Sequence, residues 1–209
     1  MRIAAIILAA GESKRMGRDK ALLPWPPHSA AQSNGSATTL VSAILRSVLR
    51  IADRSFVVTG ANHELLRGVI NPEVAVIRNP VPERGTFSSL QCGALSALKE
   101  NIDAAVILHV DRPPVSSATL RLLTGSMMDR DSDACVSIVP SYGGRHGHPY
   151  IVSAGTLREF VKAPVTTNAR DRMHGLGAVE YVECDDPAIT FNLNTPVEYE
   201  LAAAMLHQG

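Results

Sequence analysis

The residues with the clearest chemical potential directly follow an apolar run, 3–9, near the amino end of the chain. Residues 10–20 read Ala-Gly-Glu-Ser-Lys-Arg-Met-Gly-Arg-Asp-Lys, with two glycines and four cations. The glycines permit backbone conformations that other residues resist, and they let a ligand approach the main chain. Successive N–H groups of such a loop can bind an anion, while Arg15 and Lys20 can neutralise a polyphosphate. The pattern predicts a loop that binds a nucleoside triphosphate.

Two other phosphate-binding loops do not fit this segment. A Walker A loop has four residues between its glycines and a lysine directly after the second, whereas five residues separate Gly11 from Gly17 and Arg18 follows. The dinucleotide fingerprint G-x-G-x-x-G is absent from the sequence. A surface turn between a strand and a helix, carrying solvated cations, stays open as an alternative.

The elements that must position this loop alternate between strand and helix. Short apolar runs without alternation are typical of strands covered on both faces of a parallel sheet, and they occur at 3–9, 56–59, 74–77, 104–110 and 134–139. Helical patterns lie between them at 40–51, 63–69, 88–99 and 117–128. We therefore predict a Rossmann-like, three-layer α/β/α single domain with a mostly parallel sheet. In such sheets ligands bind beyond the carboxyl ends of the strands, where the strand order reverses.

The pattern changes after residue 140. A turn-rich stretch, 142–147, predicts a hairpin or lid, followed by helices over 153–161 and 166–174 and a strand over 178–182. The last helix, 197–207, has Thr195 as its expected N-cap and Glu198 as the reciprocal capping residue. Ser116 is the expected cap of the helix at 117–128.

Composition limits the function classes. The 209 residues suit one domain, and 20 basic against 20 acidic residues argue against a nucleic-acid-binding or membrane-surface protein. Three cysteines, Cys92, Cys135 and Cys184, follow no metal-binding pattern, so we expect buried apolar roles for all three. Their number and spacing favour a reduced, cytoplasmic compartment.

The loop Leu8-Ala9-Ala10-Gly11-x-Ser13-x-Arg15-Met16-Gly17-x-x-Lys20 closely resembles the signature of the molybdenum cofactor cytidylyltransferases and guanylyltransferases. These nucleotidyltransferases belong to the wider group that includes the sugar-nucleotide pyrophosphorylases and share its nucleotide-diphospho-sugar transferase fold. Four later segments match the family in order: Asn79-Pro80 with residues 85–90, then 110–113, then 144–149, then 192–196.

The resemblance implies a reaction and a division of the chain. A terminal phosphate of the acceptor attacks the α-phosphorus of the triphosphate and releases pyrophosphate, with Mg²⁺ as cofactor. A phosphate monoester is largely dianionic near neutral pH, so its oxygen needs no general base. Residues 1–115 would form the half that binds the triphosphate, and residues 116–209 the acceptor side.

The resemblance also implies the nucleotide site. The backbone of residues 10–13 would cradle the β- and γ-phosphates, and Arg15 and Lys20 would act with Asp111 as the catalytic residues. The full set of expected nucleotide contacts is Leu8, Ala9, Ala10, Gly11, Glu12, Ser13, Arg15, Lys20, Asn62, Ser88, Ser89, Gly93 and Asp111. Ser89 could instead be a helix N-cap.

Asp111 is the first candidate metal ligand. It follows the strand at 104–110, and Mg²⁺ favours one or two carboxylates together with phosphate oxygens and water. The prolines after it hinder the alternative role as a helix cap. Asn194 and Asn192 are the next candidates, because an amide oxygen can also ligate Mg²⁺, although each could equally be a turn or capping residue.

The expected acceptor contacts are Gly147, His148, Pro149 and Arg170. His148 could instead be a plain hairpin residue, and Arg170 a solvated cation on a helix. Ala9-Ala10-Gly11 resembles the branch that uses CTP, whereas Asn192 and Asn194 resemble the branch that uses GTP. We therefore expect CTP and molybdopterin as substrates and a molybdoenzyme as a recipient of the product. GTP, a sugar phosphate acceptor and a non-catalytic cofactor chaperone stay open as alternatives.

Overall fold

A computed structural model of the protein describes residues 1–11, 13, 16–27, 38–177 and 179–206. The strands in these ranges are β1 (Ile3–Ala9), β2 (Arg54–Thr59), β3 (Ala75–Arg78), β4 (Ala104–His109), β5 (Ser137–Tyr142), β6 (Arg145–His146), β7 (Tyr150–Ser153) and β8 (Val179–Glu183). The helices are α1 (Leu40–Val48), α2 (His63–Val69), α3 (Thr86–Lys99), α4 (Ser117–Met128), α5 (Ala154–Lys162), α6 (Ala169–Gly175) and α7 (Pro196–Leu206).

All eight described strands lie in one sheet, in the order β3-β2-β1-β4-β7-β5-β6, and β8 also pairs with β5. The first half is parallel, because β1 pairs in parallel with both β2 and β4. The chain moves outward from β1 to β3 and returns to the other side of β1 as β4. The strand order therefore reverses between β1 and β4, the place where an α/β sheet binds its ligand.

Helices cover both faces of the sheet. Along β1, Ile6 and Leu8 belong to one buried cluster with residues of α3, α5 and α6, whereas Ile3, Ala5 and Ile7 belong to a second cluster with residues of α1, α2, α4 and α7. Every residue of β1 is buried, which explains its unbroken apolar sequence. The three-layer α/β/α prediction is confirmed.

The second half of the sheet is mixed rather than parallel. β7 runs antiparallel to both of its neighbours, β4 and β5. The chain turns between β5 and β6 through Gly143 and Gly144, whose φ angles of 55° and 75° suit glycine. The link from β5 to β7 holds no helix, and a parallel return would require a long crossover. The hairpin predicted at 142–147 is therefore the cause of the reversal.

Local signals fixed several helix ends. The Ser116 side chain accepts from Thr119 N, which confirms the predicted cap of α4. At α7, Glu198 N donates to Thr195 Oγ1 at 3.2 Å and Thr195 N donates to Glu198 Oε2 at 2.9 Å, which confirms the capping pair. Ser89 is not an N-cap, because α3 begins at Thr86.

The cysteine prediction was only partly correct. All three cysteines lie within the described ranges as free thiols, but only Cys184 is buried, and Cys92 and Cys135 are partly exposed. Among the described residues, none of the helices has the length and apolar character that a membrane crossing needs.

Candidate active site

A cavity of about 260 Å³ lies beyond the carboxyl ends of β1 and β4. Its wall includes Ala10, Gly11 and Ser13 from the loop after β1, Lys20 from the turn that follows, and Asp111 from the loop after β4. The sequence predicted that these two strand ends would meet, and the structure places their residues around one cavity.

The loop after β1 is shaped by Ser13. Its φ of 50° turns the chain, its carbonyl accepts from Met16 N at 2.9 Å, and its Oγ accepts from Lys20 N at 3.1 Å. This side chain thus ties the first part of the loop to the turn that begins at Lys20. Two predicted contacts, Glu12 and Arg15, lie outside the described residues.

Lys20 points inward, with 8% of its surface exposed. Its Nζ donates to Asn194 Oδ1 at 3.0 Å. This contact joins residues 174 positions apart and brings the segment before α7 to the turn that follows the loop after β1. Asn194 therefore reaches the predicted site, as a partner of the lysine.

Asp111 lies at the same edge of the sheet. Its carbonyl accepts from Leu193 N at 2.7 Å, so the segment that carries Asn194 also contacts the loop after β4. Its carboxylate oxygen Oδ1 is buried and accepts no hydrogen bond from the described residues. Asn192 is exposed, and neither it nor Asn194 is among the described residues that line the cavity.

Some of the remaining predicted nucleotide contacts line the small cavity, and others lie outside its wall. Leu8 and Ser89 line the small cavity. Ala9 packs on the opposite face of the sheet. Asn62 has an intramolecular role, since Nδ2 donates to Ala9 O at 3.0 Å and Oδ1 accepts from Gly60 N at 3.0 Å. It ties the ends of β1 and β2 together.

Ser88 and Gly93 lie behind the cavity rather than in its wall. Ser88 Oγ donates to Gly85 O at 2.7 Å and accepts from Asn79 Nδ2 at 2.8 Å, so the hydroxyl is used inside the protein. Gly93 packs on β1, where a Cβ would lie 2.4 Å from Ile6 Cγ2. In the structure this glycine lets α3 approach the sheet, and its predicted nucleotide contact stays a prediction.

A larger cavity of about 800 Å³ adjoins the first, and the two share Leu8, Gly85, Thr86, His109 and Asp111 in their walls. It lies between α6 and the carboxyl end of β4, and residues of both halves of the chain line it. Of the predicted acceptor contacts, Gly147, His148 and the exposed Arg170 line it, whereas the buried Pro149 does not.

Gly147 holds its strand close to the neighbouring turn. A Cβ at Gly147 would lie 2.1 Å from Ile189 O, and His148 N donates to this same carbonyl at 2.9 Å. Only glycine permits this approach, which fixes the backbone from which the His148 side chain enters the cavity.

Two imidazoles meet in the larger cavity. In the antiparallel pairing of β4 with β7, Ile107 lies opposite Tyr150. Continuing this register by two residues along each segment places His109 opposite His148. Their ring centroids are 4.7 Å apart. Burial lowers the pKa of His109, and the nearby charge of Asp111 acts in the opposite direction. The pKa of His148 lies well below its usual range, mainly because the ring is buried and also because His109 and Arg112 are close to it.

Sequence reasoning missed His109 and Arg112, which flank Asp111 and line the larger cavity. Arg112 Nη1 donates to Phe191 O at 3.1 Å, and burial lowers the pKa of its guanidinium while Asp111 raises it. The position of both residues beside a predicted catalytic carboxylate was a usable signal. Thr86 was also missed, and it lies at the start of α3 in the wall of both cavities.

Comparison with known proteins identifies the family of this chain. The family profile described as MobA-like NTP transferase domain matches residues 5–179. The chain is 27% identical over 199 residues to the molybdenum cofactor cytidylyltransferase of Escherichia coli (strain K12), covering 94% of this chain and 93% of that protein. It is 26% identical over 205 residues to a probable molybdenum cofactor guanylyltransferase of Mycolicibacterium paratuberculosis, covering 97% and 95%.

Two further matches extend the comparison. The nicotine blue oxidoreductase of Paenarthrobacter nicotinovorans is 30% identical over 200 residues, covering 92% of each protein. A solved nucleotidyl transferase from Methanothermobacter thermautotroptrophicus superposes with a TM-score of 0.75 at 25% identity, covering 100% of this chain and 99% of that one. With the profile spanning most of its length, the chain belongs to the MobA-like NTP transferase family and is a nucleotidyltransferase.

Proposed function

We propose that the protein transfers a cytidine monophosphate group from CTP to the terminal phosphate of molybdopterin. The observation that carries the proposal is the wall of the small cavity, where the loop after β1, Lys20 and Asp111 meet. Main-chain donors, a buried cation and a carboxylate are the groups that hold a triphosphate and its counter-ion. The adjoining larger cavity supplies room for an acceptor beside it.

Mg²⁺ is part of this proposal, and the chain offers a fitting ligand. Asp111 Oδ1 is buried and has no hydrogen-bond donor among the described residues, a costly state that a cation would relieve. The described part of the chain holds no cluster of three or more His, Cys, Asp or Glu side chains, so most ligands would be phosphate oxygens and water. When bound, Mg²⁺ would neutralise charge on the triphosphate. Asn194 is a second candidate ligand through an amide oxygen that already accepts from Lys20.

The protein's own groups act by position and charge. An oxygen of the acceptor phosphate forms a bond to the α-phosphorus of CTP while the bond from that phosphorus to the β-phosphate oxygen breaks. Pyrophosphate leaves with the electron pair of the broken bond. Lys20, with Arg15 as a second candidate from the sequence, would stabilise the charge that develops on this leaving group. The two cavities that meet at Asp111 and His109 would hold the reacting groups together.

The choice of CTP and molybdopterin is supported by sequence. Ala9-Ala10-Gly11 resembles the cytidine-using branch, and a relative at 27% identity is named as a cytidylyltransferase. A relative at 26% is named as a guanylyltransferase, and Asn192 and Asn194 resemble that branch, so GTP is the alternative donor. The oxidoreductase activity in the name of the third relative is not part of the proposal, because this sequence lacks the dinucleotide fingerprint. A molybdoenzyme is the proposed recipient of the product.

A pyrophosphate-release assay tests the proposal. Each of CTP, GTP, ATP and UTP is incubated with the protein and Mg²⁺, with and without molybdopterin. Pyrophosphate release that requires both CTP and molybdopterin supports it. Release with GTP instead would overturn the choice of donor. In a further arm with a sugar phosphate in place of molybdopterin, pyrophosphate release would overturn the choice of acceptor. Binding of nucleotide without turnover under every condition would favour a cofactor chaperone.

A further inference from the structure

The larger cavity differs chemically at its two ends. Its inner end adjoins the small cavity through His109 and Asp111, and Arg112 lies beside them. Its outer end is bordered by exposed side chains, among them His146 and Tyr181. A ligand with one anionic end and one flat end would meet a different partner at each.

The inner end presents an arginine with donors to spare. Among the described residues, Arg112 makes one side-chain hydrogen bond, from Nη1 to Phe191 O. A guanidinium has five N–H donors in a planar fork that matches the oxygens of a phosphate. The bond to the carbonyl fixes the side chain, and the other edge of the fork stays available to a ligand.

Two imidazoles complete this end. His148 Nδ1 is shielded from solvent and has no hydrogen-bond partner in the described part of the chain. The ring lies against His109 at a centroid distance of 4.7 Å and against Tyr150 at 5.3 Å, which fixes its orientation. A buried polar nitrogen without a partner is costly, and an atom supplied by a ligand would remove that cost.

The outer end carries a pair of flat rings. His146 on β6 stacks on Tyr181 on β8, with centroids 3.7 Å apart and an angle of 19° between the planes. Tyr181 is 43% exposed, and its hydroxyl lies 3.3 Å from His174 Nε2 on α6. An exposed ring held flat by its neighbours loses little freedom when another planar ring stacks on it.

We propose that this cavity binds the acceptor in one orientation. Arg112, with His109 and His148, holds its phosphate at the inner end, and the Tyr181–His146 pair stacks on its planar heterocycle at the outer end. The inference rests on the proposed function, since it takes the acceptor to be a phosphorylated heterocycle. This orientation places the attacking phosphate at the junction of the two cavities. A volume of about 800 Å³ accommodates such a ligand.

Equilibrium binding tests the two ends separately. The probes are a fluorescent pterin with a single phosphate ester, the same pterin without phosphate, and inorganic phosphate as a competitor. Arg112→Gln should weaken binding of the phosphorylated pterin by about 10- to 100-fold, which is the range for a charge-assisted contact. The affinity for the pterin without phosphate should stay unchanged. Tyr181→Ala should weaken binding of both pterins about tenfold, as expected for loss of a stacking ring. Tyr181→Phe keeps the ring and should bind both pterins as the wild type does.

Matched variants separate binding from folding. Arg112→Lys keeps the charge and should recover part of the affinity, while Arg67→Gln alters an exposed arginine on α2 and should change nothing. Thermal unfolding of each variant shows whether the loop at Phe191 still folds. The inference is overturned if Arg112→Gln weakens binding of both pterins equally, or if Tyr181→Ala weakens binding of neither. It is also overturned if the wild-type protein binds no phosphorylated pterin.

Turnover distinguishes this inference from the proposed function. With CTP and molybdopterin as substrates, Arg112→Gln and Tyr181→Ala should raise the KM for the acceptor at least fivefold and leave the KM for CTP unchanged. Turnover by the wild-type protein together with a raised KM for CTP alone would overturn the orientation and keep the function. Pterin binding as expected, without pyrophosphate release from any nucleotide, would overturn the function and keep the orientation.

Discussion

Replacing Lys20 with methionine should separate catalysis from folding. The main-chain bond from Lys20 N to Ser13 Oγ does not depend on the side chain, so the loop keeps that tie. What is lost is the ammonium group, which is largely buried and donates to Asn194 Oδ1 at 3.0 Å. Methionine has a similar length and fills the same space.

The substitution should have two opposing effects on the free energy of unfolding and a separate effect on kcat/KM. Loss of the donor to Asn194 costs about 1 kcal/mol, since this amide is only half-buried and water can replace the lysine. Removal of the largely buried ammonium also relieves its desolvation cost, which offsets part of that loss. The free energy of unfolding should therefore change by less than about 1 kcal/mol. Loss of a cation that stabilises the leaving pyrophosphate should lower kcat/KM by about 100- to 1000-fold.

The assay is pyrophosphate release with CTP and molybdopterin, paired with urea unfolding of the same samples. Lys99→Met is the control, because this exposed lysine lies at the end of α3, away from both cavities. A Lys20→Met protein that folds and retains kcat/KM within tenfold of the wild type would refute the role of the ammonium.

Four other substitutions test the metal ligand, the helix packing and the buried histidine. Asp111→Asn should abolish metal-dependent turnover and preserve the melting temperature, because Oδ1 accepts no bond from the described residues; full activity in a Mg²⁺ titration would contradict this. Gly93→Ala should destabilise the fold by about 1–3 kcal/mol in urea, as the methyl group would lie 2.4 Å from Ile6, whereas Gly125→Ala in open space on α4 should gain up to about 1 kcal/mol. Equal effects at the two glycines would show that the close contact is absent. Burial holds the pKa of His148 below 6.5, so the unfolded chain binds the proton more readily and stability should fall as pH drops through 6.5, by at most about 1.4 kcal/mol per pH unit. His148→Gln should reduce that slope between pH 7 and pH 5, and identical slopes in both proteins would disprove it.

The sequence predicted the elements whose signals are local. β1, α2 and α4 have the predicted bounds, since each combines an unambiguous apolar pattern with a defined start or stop. The strand predicted at 134–139 instead spans Ser137–Tyr142, because pairing with β6 and β8 extends β5 through polar residues that the apolar run did not include. The helix predicted from 166 begins at Ala169, where the Asn168 side chain accepts from Asp171 N. That capping signal was present in the sequence.

The site was predictable where it depends on strand ends and unpredictable where it depends on pairing. Asp111 and the loop after β1 meet because parallel neighbours end at one edge. His109 meets His148 only because β7 runs antiparallel beside β4, and no local pattern specifies which strand a hairpin will join. Gly93 shows a role that the motif did not indicate, since it allows α3 to pack closely on β1.

The segment from Phe191 to Asn194 joins the parts of the site. Phe191 O accepts from Arg112, Leu193 N donates to Asp111 O, and Asn194 Oδ1 accepts from Lys20. One short stretch therefore contacts Arg112, Asp111 and Lys20, the three residues for which roles in the reaction are proposed. The capping pair at the start of α7 follows immediately and fixes where this stretch ends. The chain after residue 115 thus contacts Lys20 and Asp111, which line the small cavity, and Arg112, which lines the larger one. Substitutions in this segment should therefore affect both cavities through these contacts.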